Sequence, residues 1–290
     1  MMPSSGGTTP RAPRRVRGRV AGLALGASAL AITAAALGSA EASAAPAQPA
    51  AAHPAKATRF VPPGQLPSPP PTRPQLPYSP PARILKQGMS GSDVLALQHR
   101  LAALHYWVPA FSGTLSYDNT ETLYAFQAVN GLPMTGQVDT ATGQALLSPR
   151  SYTPHDTQVA TRIEVDINSN KQLLVYYKNN SIALISHVSS GRLNYAITPT
   201  GTYTANIFMP GSIPVPLGVM VNPVFFTVNG RTTVYAIHGD AQVPNYPDSN
   251  GCVRIPADLS NVFHTMIDVA DSNGFGTQIY IYGTNWQPGS

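Results

Sequence analysis

A single cysteine, Cys252, stands in a chain of 290 residues, so an internal disulfide and a zinc site built on cysteine pairs are both excluded. Charge is also scarce. Asp, Glu, Lys and Arg make up 11% of the chain, against about 25% in an ordinary globular protein. The 7 histidines contain no His-x-x-x-His pair or other metal-ligand spacing. No phosphate-cradling glycine loop or dinucleotide fingerprint stands out. No cofactor and no metal are expected.

The formal charge of +5 is misleading, because Arg11, Arg14, Arg15, Arg17 and Arg19 all precede an apolar run. Five arginines and one glutamate fall within residues 1–44, which leaves 13 basic and 12 acidic residues and a net of +1. From residue 151 onward there are 6 basic and 8 acidic residues, so nothing reads as a nucleic-acid groove. Residues 1–44 have the layout of a secretory signal: an arginine-rich start, an uncharged run from Val20 to Gly38, and a small-residue exit at Ala42-Ser43-Ala44. An uncleaved membrane anchor is the alternative, since the run approaches the length of a bilayer span. An extracytoplasmic protein, secreted or wall-associated, is expected.

Proline, at 29 residues, is abundant, and it is concentrated in residues 45–82. Proline locks φ and donates no backbone hydrogen bond, so this stretch builds no core and reads as a disordered, semi-rigid linker. The texture changes at residues 83–149. Val94, Leu97, Leu101 and Leu104 recur at helical spacing after a candidate cap at Ser90 or Ser92. A second helix is expected from near Asn119 to Gly131, and a third, capped by Asp139, ending near Leu146. Together they make a small three-helix bundle. Gln98, Tyr106, Trp107 and Gln127 are its polar or aromatic ligand candidates, each also readable as structural.

Residues 153–285 read as mainly β. Ile163, Val165 and Ile167 alternate with Glu164 and Asp166, the pattern of a half-buried strand. Strands are expected at 171–177 and 181–189 about an Asn179-Asn180 turn, then at 202–207, 219–228, 232–237 and 277–282. One helix is expected at 258–270. Many short strands with one helix suggest a sandwich or a partly closed barrel.

Within this region the stretch from Tyr235 to Pro256, YAIHGDAQVPNYPDSNGCVRIP, carries the chemistry. His238 ends an apolar β-type run, a polar loop follows, and Cys252 lies 14 residues on, in a Ser-Asn-Gly-Cys turn. A lone cysteine is most often an inert buried hydrophobe. Here its neighbours are turn residues, and an exported chain has little reason to keep an idle thiol. A thiol beside an imidazole is the minimal apparatus for acyl transfer, the imidazole drawing off the proton and the thiolate attacking. Gly251 permits close backbone approach, so the amides of Gly251 and Cys252 are candidate oxyanion donors. Arg254, two residues on, falls on the same side as Cys252 if the stretch is extended. It can hold a substrate carboxylate or pair with Asp240 or Asp248. Ser249 is a candidate to brace the cysteine loop, and Tyr235 and Asn222 are candidates to line the cleft.

The pair His238-Gly239 followed by SNGCVRI resembles the L,D-transpeptidase family of the YkuD type, whose signature is His-Gly followed by Ser-His-Gly-Cys-x-Arg. Ser249, Gly251, Cys252 and Arg254 match it, while Asn250 stands where the family usually has a second histidine. Residues 163–191 resemble the family's opening hairpin, and TPTGTY at 198–203 resembles its TPxGxF turn. Residues 83–149 in turn resemble the peptidoglycan-binding domain family, through LKQGMSGSDVLALQHRL and AFQAVNGLPMTGQVDTATGQALL. These resemblances imply a cysteine acyltransferase acting on peptidoglycan, both polymer and stem peptides, and a monomer is expected. Cys252 is then the nucleophile and His238 the base, with the Gly239 carbonyl orienting the imidazole. Arg254, Ser249, Asn250 and Tyr235 fall on the substrate side. The product is a 3→3 cross-link between stems. An L,D-carboxypeptidase using the same site, or a wall-binding protein with a degenerate catalytic domain, is the alternative.

Overall fold

Three helices open the part of the chain that the computed structural model describes, residues 78–284 except 157, 194, 217, 229–230 and 271–274. The expected signal segment and most of the proline-rich linker lie outside the described residues. Helix α1 (Ser92–Ala103) begins at Gly91, which supplies no side-chain cap. Neither serine caps it: Ser92 is already helical, and Ser90 Oγ bonds Thr114 Oγ1 at 2.9 Å. Helix α2 (Tyr117–Asn130) starts ahead of Asn119 because Ser116 and Asn119 form a reciprocal capping box, and it ends at Gly131 in the left-handed conformation, φ 71°. Helix α3 (Thr140–Leu147) is capped by Asp139, whose carboxylate accepts from the Thr142 N–H at 2.8 Å.

Gln98 and Gln127 are internal staples. Gln98 accepts from the Gly113 amide and donates to Asn119 and the Thr114 carbonyl. Gln127 accepts from the Gly136 amide and donates to Thr142 and the Gln137 carbonyl. Both are buried, as is Tyr106, so the expected ligand candidates of the bundle serve its architecture.

Strands β1 (Arg162–Asp166), β2 (Leu173–Lys178) and β3 (Ser181–His187) follow as an antiparallel meander. The β2–β3 turn uses Asn179 and Asn180 at φ 52° and 62°, as a tight hairpin of this hand requires. Next come β4 (Gly201–Phe208), β5 (Ser212–Val215), β6 (Gly218–Val228), β7 (Arg231–Asp240) and β8 (Val253–Pro256). Helix α4 (Ala257–Met266) and strand β9 (Gln278–Tyr282) complete the fold. The strand order is β3-β2-β1-β9-β4-β6-β7-β8, with β5 beside β6. Among the described strands, only the β1–β9 and β7–β8 pairs are parallel. Bridges from Ser189 to Arg254 and from Gly191 to Ser249 join the chain beyond β3 to the β8 edge, so the sheet curls toward closure. It is a half-barrel rather than a sandwich.

Some expectations needed correction. β5 and β8 are four residues each, too short to show a period. Helix α4 stops at Met266, since Ile267 is already extended. Strand β1 is buried on both faces, not one. Its outer face carries Arg162 and Glu164, paired at 2.8 Å, and the Glu164 carboxylate also accepts from the amides of His155 and Asp156. A buried carboxylate is tolerable because all of these donors converge on it.

The barrel core is formed by residues such as Ile163, Val224, Phe226, Ile237, Val253 and Phe263. A second core fills the helical bundle and continues into the outward face of β2 and β3 through Leu173, Val175, Tyr177 and Ile185. The Trp107 amide donates to the Ile185 carbonyl at 2.9 Å, and the Ile185 amide to the His105 carbonyl at 2.8 Å. The helical module and the half-barrel therefore share one packed interior along β2–β3. Among the described residues, no helix is long and apolar enough to cross a membrane.

Candidate active site

Strand β7 carries His238 near its C-terminal end, and β8 runs parallel beside it with Arg254 opposite His238. Continuing that register places Cys252 next to Ala236. Paired and alternate residues of a parallel ladder share a face, so Cys252, Arg254 and His238 project together. Cys252 is one strand across and two residues back from His238. Strand spacings put their Cα atoms about 8 Å apart, within the joint reach of a thiol and an imidazole.

The imidazole is held from behind. His238 Nδ1 lies 3.0 Å from the Gly239 carbonyl oxygen. A carbonyl can only accept, so Nδ1 carries the proton and Nε2 offers its lone pair. Gly239 is itself pinned by α4, where a Cβ would fall 2.2 Å from Ser260 Oγ and 3.1 Å from Ala257 Cα. No larger residue fits at the position that orients the ring.

The cysteine turn is equally constrained. Gly251 sits at φ 105°, and a Cβ there would meet the Tyr235 ring at 2.5 Å, so both conformation and space demand glycine. Tyr235 thus shapes the turn. Ser249 Oγ donates to the Cys252 carbonyl and accepts from the Gly251 amide at 3.1 Å, bracing the loop as anticipated. That bond occupies the Gly251 N–H. Thr198, which opens the TPTGTY string, donates through Oγ1 to the Gly251 carbonyl at 2.9 Å and accepts from the Gly191 amide at 2.8 Å. The brace by Thr198 and Gly191 escaped sequence reasoning, because its only sequence signal was the threonine-proline turn itself.

Burial pushes the Cys252 thiol above its ordinary value, against a partial pull downward from the Ala236 backbone and the Arg254 charge. Burial likewise lowers His238, while the Gly239 carbonyl and Asp240 act in the opposite sense. At neutral pH the resting pair is a thiol and a neutral imidazole.

Arg254 is committed to two aspartates, Asp240 at 3.2 Å and Asp248 at 3.5 Å, one at each end of the loop between His238 and Cys252. The ion pair anticipated for it is formed with both aspartates. Asn250 Oδ1 accepts from Arg192 Nη2 at 2.6 Å. Asn222 uses its amide to tie the β5–β6 hairpin to α4, donating to Asn261 and accepting from Gly211.

Comparison with known proteins places this fold. Residues 160–281 match the L,D-transpeptidase catalytic domain and residues 90–146 a peptidoglycan binding domain. The crystal structure of the L,D-transpeptidase from Xylanimonas cellulosilytica is 30% identical, covers 70% of this chain and 100% of its own, and superposes with a TM-score of 0.59. The chain belongs to the L,D-transpeptidase family. A second L,D-transpeptidase structure, from Stackebrandtia nassauensis, is 20% identical over 71% of this chain and 97% of its own, with a TM-score of 0.41. No curated protein matches the chain. This L,D-transpeptidase thus joins a peptidoglycan-binding module to its catalytic half-barrel, and the two domains point to work at the cell wall, outside the cytoplasm. The Cys–His face just described lies within the matched catalytic domain.

Proposed function

We propose that this L,D-transpeptidase works through a Cys252 thioester with His238 as its base. The observation that carries the reading is the His238 Nδ1–Gly239 carbonyl bond, which leaves Nε2 free to take a proton on the face that Cys252 shares. As the sulfur attacks the carbonyl of the third residue of a tetrapeptide stem, Nε2 receives the thiol proton. The tetrahedral oxyanion is received by the Cys252 amide. The Gly251 amide is already engaged by Ser249, so the oxyanion role falls to one amide of the two. Imidazolium then returns the proton to the departing amine of the terminal D-alanine, leaving the acyl group on sulfur. The side-chain amine of a second stem attacks the thioester, His238 takes the amine proton, and the thiol is regenerated with a 3→3 cross-link formed. Water in place of the amine gives the L,D-carboxypeptidase outcome.

The helical module holds the enzyme against the insoluble polymer, which raises local substrate concentration without new contacts at the thiol. Residues 1–44 direct export, and 45–82 act as the tether.

Intact mass spectrometry after mixing with purified tetrapeptide muropeptides tests the mechanism. An acyl adduct is expected on the wild type and none on Cys252→Ala. An unmodified wild type, with no cross-linked or trimmed product, refutes the reading. Retention of the full-length Cys252→Ala chain by purified sacculi tests the module's role.

A further inference from the structure

Arg192 occupies a different electrostatic position from Arg254. Among the described residues, no carboxylate lies within ion-pair distance of Arg192, whereas Arg254 faces two. The Arg192 guanidinium is nevertheless fixed. Its Nη2 donates to Asn250 Oδ1 at 2.6 Å, and its plane lies over the Tyr195 ring, 4.6 Å from the centroid. Its backbone amide donates to the Ser249 carbonyl at 3.0 Å. The turn it begins lies against the cysteine loop, where the Ala196 carbonyl is 3.7 Å from the Cβ position of Gly251. Its Nε is buried and has no hydrogen-bond partner among the described residues. A buried donor on an uncompensated cation is costly, and a carboxylate is the acceptor that satisfies both its charge and its fork of N–H groups.

The substitution at residue 250 belongs to the same arrangement. A histidine there can become cationic and would then repel a guanidinium. Asparagine offers a neutral acceptor at every pH that the enzyme meets.

We propose that Arg192, held by Asn250, receives a carboxylate of the acyl-donor peptide beside the thiol. This deepens the thioester reading and, as far as the substrate is concerned, rests on it. Arg254 serves instead as the clamp that joins the two ends of the loop between His238 and Cys252.

The test needs no turnover. Cys252 is the only cysteine, so alkylation of the full chain by iodoacetate or iodoacetamide reports one site. In both reagents the sulfur displaces iodide, but only iodoacetate carries a carboxylate. Relative to a small free thiol, the wild type should favour iodoacetate over iodoacetamide. Arg192→Gln should lower that preference about fivefold, the effect of one charge within several ångströms in a partly screened site, and Arg192→Lys should keep most of it. The iodoacetamide rate of each variant checks that fold and thiol are intact. On the wild type, N-acetyl-D-alanine should slow iodoacetate labelling more than N-acetyl-D-alaninamide does. An iodoacetate preference equal in wild type and Arg192→Gln, or equal protection by the acid and the amide, overturns the proposal. If the preference falls as expected while stem peptides leave no acyl adduct, the acyl-transfer reading fails and the carboxylate site stands.

Discussion

Glu121 of the helical module accepts a hydrogen bond from the backbone N–H of Val243 at 2.7 Å, and Val243 lies in the loop that joins His238 to Cys252. The same loop is held by Asn245, which donates to the Met134 carbonyl of the module at 2.8 Å, and by His187 Nε2 against the Pro244 carbonyl at 2.8 Å. The Tyr124 ring of α2 packs edge-on against the His187 ring. Trp107 adds a contact to α4, donating to Asp258 in its first turn at 3.0 Å. The module therefore grips both the loop leading to Cys252 and the helix that presses on Gly239.

The junction should respond to pH. Burial, reinforced by Asp118, Asp258 and Asp240, pushes the Glu121 carboxyl up to about 9. Glu121 is thus protonated when folded at neutral pH but ionised when unfolded. Its stability contribution is complete below its ordinary value of 4.5 and is lost as pH rises toward about 9. Glu121→Gln keeps an acceptor for Val243 and cannot ionise. It should stabilise the protein by about 1–3 kcal/mol at pH 7, several degrees in Tm, with the gain gone at pH 4. Thermal melts of both proteins across that range check this, and an equal Tm difference at both ends would count against it.

His187 limits the same junction from the acid side. Burial lowers it to about 4 from an ordinary 6.5. The unfolded chain binds the proton first, so stability should decline as pH falls through this interval, by about 2–4 kcal/mol at its end. Amide hydrogen exchange of residues 241–248, followed from pH 7 to pH 4, should show the loop losing protection with that decline.

Cys252→Ala and His238→Ala should each reduce cross-linking by at least about 10³-fold while leaving the melting profile near that of the wild type. The double variant should be little worse than either single one, because the two act as a unit. With a buried thiol and a neutral imidazole at rest, wild-type alkylation by iodoacetamide should keep climbing through pH 9. A plateau near neutrality would instead reveal a standing thiolate–imidazolium pair.

Asn250→Ala removes the acceptor for Arg192 and should lower activity moderately, about three- to tenfold, through a charge-assisted bond lost at a partly exposed position. Asn250→His should retain activity at pH 8, where the neutral ring can still accept. It should lose activity toward pH 5.5, as the imidazolium repels the guanidinium. The pH–rate profiles of the two variants against wild type provide the check, and an Asn250→His profile without the new acid limb would contradict it.

Residues 153–285 expressed alone should be unstable. Leu173, Val175, Tyr177 and Ile185 are buried against the module, and each contributes about 1.5–3 kcal/mol by leaving water. Dye binding to exposed apolar surface and a broad, early melt are the expected signs. A cooperative melt matching that of the full chain would show the half-barrel to be self-sufficient.

Much of this protein was determined by local sequence. The leucine spacing of α1, the Asp139 cap, the left-handed Gly131 and the Asn179-Asn180 turn are each set within a few residues, by steric limits on φ or by a single side chain reaching a nearby amide. The strand end at His238-Gly239 and the glycine turn of the SNGCVRI string were legible in the same way, since both are local events. Other features required the folded chain. The ion pairs of Arg254 are one, since only the return of the loop brought Asp240 and Asp248 to it. The Gly251 amide looked available until Ser249 turned back onto it. β1 alternates like a half-exposed strand, yet Glu164 is buried under the amides of residues 155–156, and Arg162 lies against the Tyr177 ring and donates to the Val159 carbonyl. The grip of Glu121 on Val243 spans 122 residues, and the Arg192–Asn250 bond spans 58. Pairings at such separation are set by strand register and by which faces must leave water together, and periodicity within a short window carries no record of either.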